Sequence, residues 1–162
     1  MTPSGSIAPA LLHIRAALAA ALEPFGWTVS TADNPFRKFN ALAAVGAGGV
    51  CVVSWNGDRK LDQAGRSLVI RASIAVSLAS KKDVVKPAIG KLLGDQPRLF
   101  EIHDRVKGAM LSLSMPDGTV PEPGGDVAGY AGSRPLAGPD GMPMDGIEQI
   151  WEVELPESFG PN

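Results

Sequence analysis

The sequence predicts an α+β protein: a mainly antiparallel sheet with two helices packed on one face, and a long Gly/Pro-rich loop before the last strand. Three observations carry this. Residues 67 to 79, "SLVIRASIAVSLA", alternate without a break. Leu68, Ile70, Ala72, Ile74, Val76 and Leu78 form one apolar face, while Val69, Arg71, Ser73, Ala75, Ser77 and Ala79 form a smaller, more polar one. Such a period of two marks a strand with one buried face. Second, two segments carry apolar residues at intervals of three and four, the mark of helices that cover a sheet. Third, helices and strands are not interleaved one by one, which speaks against a doubly wound parallel sheet.

Taken in order, Ser6 is placed to cap a helix starting near Ile7, with Pro9 tolerated in the first turn. Its stripe is Ile7, Leu11, Ile14, Leu18 and Leu22, and Pro24 with Gly26 ends it. "GWTVSTA" is a short strand candidate. "GVCVVSW" reads as a buried strand from Val50 to Trp55, and Asn56-Gly57 is a turn signal. Polar "DRKLDQAGR" then reads as a flexible connection into the long strand rather than a tight two-residue hairpin. At roughly 3.3 Å per residue that strand would run about 40 Å, more than twice a common one. One helical turn is expected around Ala88 to Leu93. A second helix is expected from Pro97, capped by Asp95 or Gln96, with the stripe Leu99, Ile102, Val106, Met110 and Leu113, and closed by Pro116 and Gly118.

From Met115 to Gly146 eight of 32 residues are glycine and six are proline. Such a segment is expected to hold no regular structure, and its length makes it a functional loop or mobile arm. Residues 147 to 155, "IEQIWEVEL", alternate again. Ile147, Gln149, Trp151, Val153 and Leu155 point one way, and Glu148, Ile150, Glu152 and Glu154 make an acidic outer face. The whole, 1–162, reads as one domain with 115–146 as its arm.

Composition narrows the function classes. A formal net charge of -2 argues against binding by neutralising many phosphates, and 6% aromatics argues against a base-stacking platform. The N-terminal apolar stretch lacks a basic leader and is interrupted by His13 and Arg15, so neither a signal peptide nor a membrane span is expected. The lone cysteine, Cys51, sits in an apolar run and suits a reducing cytoplasm.

Chemical motifs are sparse, and no catalytic, cofactor or metal residue is assigned. "VGAGGV" has Gly46 and Gly48, but Cys51 stands where a dinucleotide loop needs its third glycine, and the segment precedes a strand. His13 and His103 lie on different helices without a matching ligand pair. "DGMPMDG" lacks the Asp/Asn ladder and closing Glu of a calcium loop. Glu152 and Glu154 alternate on one strand face rather than facing each other across a cleft. What remains is charge. Arg59, Lys60, Arg66, Lys81, Lys82 and Lys86 fall in the segments flanking the long strand, and Arg71 lies within it. They fit two solvated loops or, together with Glu152 and Glu154, a basic rim that meets an acidic surface on another subunit. The candidate assembly residues are Arg59, Lys60, Arg66, Arg71, Lys81, Lys82, Glu152 and Glu154.

The order of a first helix, "GWTVSTADNP", a strand ending in "SWNGD", a long alternating strand, the helix "LFEIHDRVKGAMLSL", and a last strand after a Gly/Pro-rich loop resembles the tail-terminator and minor tail proteins of long-tailed bacteriophages. Prophage and gene-transfer-agent versions belong to the same group. The resemblance spans nearly the whole chain. It implies a non-enzymatic virion protein that forms a hexameric ring at the head-proximal end of the tail, ends tube polymerisation and joins the tail to the head connector. Its implied partners are copies of itself, the tail tube protein and a connector or stopper protein, with no cofactor. It would reside in the host cytoplasm during assembly and then in the virion. A strand that outruns its neighbours leaves backbone groups unpaired, which a second subunit could cover. Two other classes stand beside this one: a protein-interaction module using 115–146 as its arm, and a small-molecule enzyme, which would need a pocket with converging polar groups.

Overall fold

The structure, a computed structural model, describes residues 6–32, 49–81, 99–113, 129–136 and 144–159. Its elements are helix α1 (Ile7–Leu22), a 3-10 turn (Glu23–Phe25), strands β1 (Trp27–Ala32), β2 (Gly49–Ala64) and β3 (Ser67–Lys81), helix α2 (Leu99–Leu111), and strands β4 (Tyr130–Leu136) and β5 (Met144–Ser158). The five strands form one sheet in the order β1-β2-β3-β5-β4. Only β1 runs parallel to its neighbour, β2; the other pairs are antiparallel. This is the α+β architecture expected from the sequence, with two helices on a mostly antiparallel sheet.

The helix stripes fall where their spacing puts them. Leu11, Ile14, Leu18 and Leu22 of α1 are buried, as are Leu99, Ile102, Val106 and Met110 of α2. They pack on the strand face made by Cys51, Val53, Ile70, Ala72, Ile74, Val76, Leu78, Ile147, Trp151, Val153 and Leu155. One contiguous core results. Ser6 precedes α1 but makes no side-chain cap bond. Its backbone N–H and its hydroxyl both donate to Glu157 of β5, at 2.8 and 3.0 Å, so it pins the helix to the sheet instead. By length and composition the stretch Ile7–Phe25 passes for a membrane-spanning helix, as a core helix also can; here its buried stripe faces the sheet. Where β1 meets β2, Gly49 takes φ 150 and the Trp27 indole lies across it, 2.6 Å from where a Cβ would stand.

Four expectations need correcting. Asn56-Gly57 makes no hairpin turn; Gly57, at φ 107, sits in an irregularity between Trp55 and Asp58, and β2 continues to Ala64. "DRKLDQAGR" is therefore strand for most of its length. The connection is a two-residue turn, Gly65-Arg66, closed by the pairing of Ala64 with Ser67. Gly65 adopts φ 61 at the first turn position, the glycine-first arrangement of a tight hairpin. Within 115–146, Tyr130–Leu136 forms β4 on the sheet edge, which tolerates Pro135 and uses Gly132, at φ 144, where the register slips. And β3 does not outrun its neighbours: it pairs with β2 from Ser67 to Ala79 and with β5 from Ser67 to Lys81. Both of its edges are covered within one subunit. The expected turn at Ala88–Leu93, the capping residues Asp95 and Gln96, the helix-closing Pro116 and Gly118, and the rest of the 115–146 arm lie outside the described residues.

Among the described residues one open stretch of edge belongs to β2, and β5 has another beyond Trp151, where its pairing with β4 ends. β1 pairs with β2 only from Gly49 to Ser54. Among the described residues no strand pairs with the other edge of β2, away from β3, from Trp55 to Ala64, and none of those side chains is buried. Helix α1 runs from the end of β5, where Ser6 is held, to the start of β1, and leaves this part of β2 outside the helix layer.

Candidate functional site

The candidate surface is built on the distal half of β2 and the strands behind it. Pairing places residues of β2, β3 and β5 in rows across the sheet. Arg59 stands opposite Arg71, which stands opposite Glu154. One row on, Ser73 is opposite Glu152. Residues paired in this way share a face of the sheet, and here it is the face away from the helices. The Arg71 guanidinium donates to Glu154 Oε1 at 2.8 Å, with both side chains about one-fifth exposed. This pair is internal, whereas the sequence suggested that such charges meet between subunits. Lys60 alternates to the opposite face beside Ile70, where it is exposed. Arg66 sits in the hairpin turn, and its carbonyl accepts the Phe159 N–H at 2.9 Å. Lys81 ends β3 opposite Met144, ten residues along from Arg71 and so about 33 Å away. Lys82 and Lys86 lie outside the described residues. The sheet thus gathers Arg59, Arg71, Glu152 and Glu154, leaves Lys60 and Arg66 nearby, and puts Lys81 at the far end.

Trp55 opens this segment. It is 40% exposed, and its indole N–H donates to Asp58 Oδ1 at 3.2 Å. An exposed tryptophan on an unpaired strand edge is a usual anchor for a protein partner. The sequence reading missed it by assigning Trp55 to the buried strand. Charges at Asp58, Arg59, Lys60 and Asp62 and register irregularities at two places mark the same edge. Such features stop a strand edge from pairing at random.

The acidic outer face expected for β5 is only partly solvated. Glu148 is fully buried. Its Oε2 accepts the Ser77 hydroxyl at 2.8 Å, and its Oε1 receives Arg134 Nε and Nη2 at 3.0 and 2.6 Å. A buried carboxylate needs such partners. Arg134 was not foreseen, because β4 was read as loop; the strand carries it to the position opposite Glu148.

A second polar cluster lies on the helix side. Gln149 Nε2 donates to His103 Nδ1 at 2.8 Å and to the His103 carbonyl at 2.9 Å, and Trp151 Nε1 donates to Gln149 Oε1 at 2.9 Å. An amide nitrogen only donates, so Nδ1 accepts and the neutral imidazole carries its proton on Nε2. Burial, with help from Lys107, holds His103 below the ordinary imidazole value, against the pull of Asp104. Cys51 is fully buried, and that pushes its thiol up to about 12. A thiol held there is not a thiolate nucleophile at neutral pH. Among the described residues no three His, Cys, Asp or Glu side chains converge as metal ligands. Residues 45–48, with Gly46 and Gly48, and most of "DGMPMDG" lie outside the described residues.

Three shallow grooves mark the described surface. One, of about 370 Å³, includes Gln63, Leu68, Val69 and Pro156 at the hairpin end. Another, of about 290 Å³, includes Asn56, Gly132, Arg134 and Ile150. The third, of about 610 Å³, lies along α2 at Glu101, Asp104, Arg105 and Gly108. His103 and Cys51 line none of them. No protein-family model matches the chain, and no curated protein matches it.

Proposed function

We propose that this chain is a structural subunit of a phage or phage-like tail. In this reading copies assemble into a hexameric ring at the head-proximal end, stop polymerisation of the tail tube, and join the tail to the head connector. Its partners are other copies of itself, the tube protein and a connector or stopper protein. One observation supports self-assembly more than any other: the last ten residues of β2 place no side chain in the core and have one backbone edge that no described strand covers. Ordering a residue costs about 1–2 kcal/mol of backbone entropy. Within the subunit this segment is held by pairing with β3, and its apolar side chains Trp55 and Leu61 are only partly covered, which does little to offset that cost. A contact outside the subunit accounts for it. The support has moved from β3, whose edges are covered, to the neighbouring strand.

Light scattering on the purified chain should give a mass near six copies at raised concentration. Tails assembled without the protein should form tubes of uncontrolled length in negative-stain images. Tails of uniform length without it would overturn the tail reading, and a monomer at every concentration would overturn self-assembly.

A further inference from the structure

The face of the sheet away from the helices carries two charges that no described residue answers. Arg59 is exposed on β2 and stands directly opposite Arg71. Like charges opposite each other on a strand pair are unfavourable. The nearby carboxylate, Glu154, is engaged by Arg71 at 2.8 Å. One row away Glu152 is half-buried on β5. Among the described residues neither the Arg59 guanidinium nor the Glu152 carboxylate has a partner. The two cannot readily answer each other within one chain. They are two strands apart, about 10 Å, and one row apart, about 7 Å more along the strands.

We propose that Arg59 of one copy pairs with Glu152 of the next. The inference rests on the self-assembly reading above and names the contact that would carry it. Arg59 lies on the open strand at one side of β3, and Glu152 lies on the strand at the other side. Both lie on the face away from the helices but on opposite sides of β3, so each copy can offer its cation to one neighbour and its carboxylate to another, an arrangement compatible with head-to-tail closure into a ring. An incoming carboxylate also relieves the Arg59–Arg71 repulsion, so the subunit carries a charge conflict that assembly resolves. The guanidinium suits this role because it stays charged and holds a carboxylate with two parallel hydrogen bonds.

Charge reversal tests it on the full chain, with self-association read by sedimentation and folding by thermal melting. R59E and E152R should each weaken association about tenfold or more, the scale of a lost close charge pair. The double variant R59E/E152R should restore it, because the pair is rebuilt with its signs exchanged. R59E should melt no lower than wild type as a monomer, since a glutamate opposite Arg71 replaces a like-charge pair. Single variants that associate as wild type does, or a double variant as weak as either single, would overturn the pairing and leave ring assembly standing. A wild-type chain that stays monomeric at all concentrations would overturn both, and would assign Arg59 to an acidic partner of another kind.

Discussion

Strand β2 is two structures in one. Its first six residues, Gly49–Ser54, are all buried; of its last ten, Trp55–Ala64, none is. The backbone pairs with β3 through both halves, interrupted only by short register slips. What differs is the surroundings. The first half has β1 on its other side, with Cys51 and Val53 under the helices. Among the described residues the second half has neither. A strand can thus be fully ordered by its hydrogen bonds while its side chains contribute little to the core. Stability should therefore reside in the first half and its neighbours, and association in the second.

The sharpest way to test that division is to damage the core. Trp151 is fully buried, packs edge-on against Tyr130 at 5.1 Å, and donates its indole N–H to Gln149. Trp151→Ala should lower the unfolding free energy by about 3–5 kcal/mol, through lost burial and the cavity left behind. It would also leave the Gln149 carbonyl without that donor, which adds to the cost. Urea unfolding measures it. A loss under about 1 kcal/mol would mean that the helix-side core is not where stability lies.

How much of this was legible in the sequence follows the same division. Where burial is one-sided and regular, the pattern and the fold agree. The α1 stripe, the α2 stripe from Leu99 to Leu113 and the even face of β3 all point inward, although the far end of β3 is buried on both faces, with Ala75, Ser77 and Ala79 covered as well, where the sequence suggested one buried face. Legibility fails where hydrogen bonding rather than burial decides. Residues 58 to 64 show no apolar alternation because neither face is buried, so they read as loop. Only Gly65, first of two turn residues, signalled the hairpin. Strand β4 was hidden for a related reason. Gly132 and Pro135 are poor strand formers, yet an edge strand with one irregular pairing tolerates both. With β4 unseen, Arg134 had no place, and Glu148 read as a solvated carboxylate. At the candidate surface the residue types were legible, including Arg59, Arg71, Glu152 and Glu154. Which of them meet was not: pairing across strands depends on register, and the unread hairpin fixed the register of β2 against β3.

A smaller effect should separate the two regions by pH. His103 accepts from Gln149 only while Nδ1 is unprotonated, and its affinity for a proton is lowered in the folded chain. Between the folded value and the unfolded one near 6.5, the unfolded chain binds more protons, so protonation favours unfolding. The contribution of His103 is complete above about pH 6.5 and is lost as pH falls below it. His103→Gln keeps an acceptor for Gln149 but cannot titrate. Its unfolding free energy should therefore fall less steeply than that of wild type on going from pH 7.5 to pH 5. Parallel profiles would show that the imidazole is not held neutral by this network.

The least effect on the isolated subunit belongs to the open strand. Lys60 is exposed, and its cross-strand neighbour is Ile70 of the core face. Lys60→Ala removes one charge and a flexible stem from an edge that no described strand covers. The unfolding free energy of the monomer should change by no more than about 0.5 kcal/mol, the usual scale for a surface position. Association should respond differently. Lysine on an open edge discourages indiscriminate strand pairing, so its loss should raise self-association or aggregation at high concentration while the melting curve stays put. A large loss of monomer stability would mean that this half of β2 is sustained by its own side chains, and the contrast between the two halves of the strand would disappear.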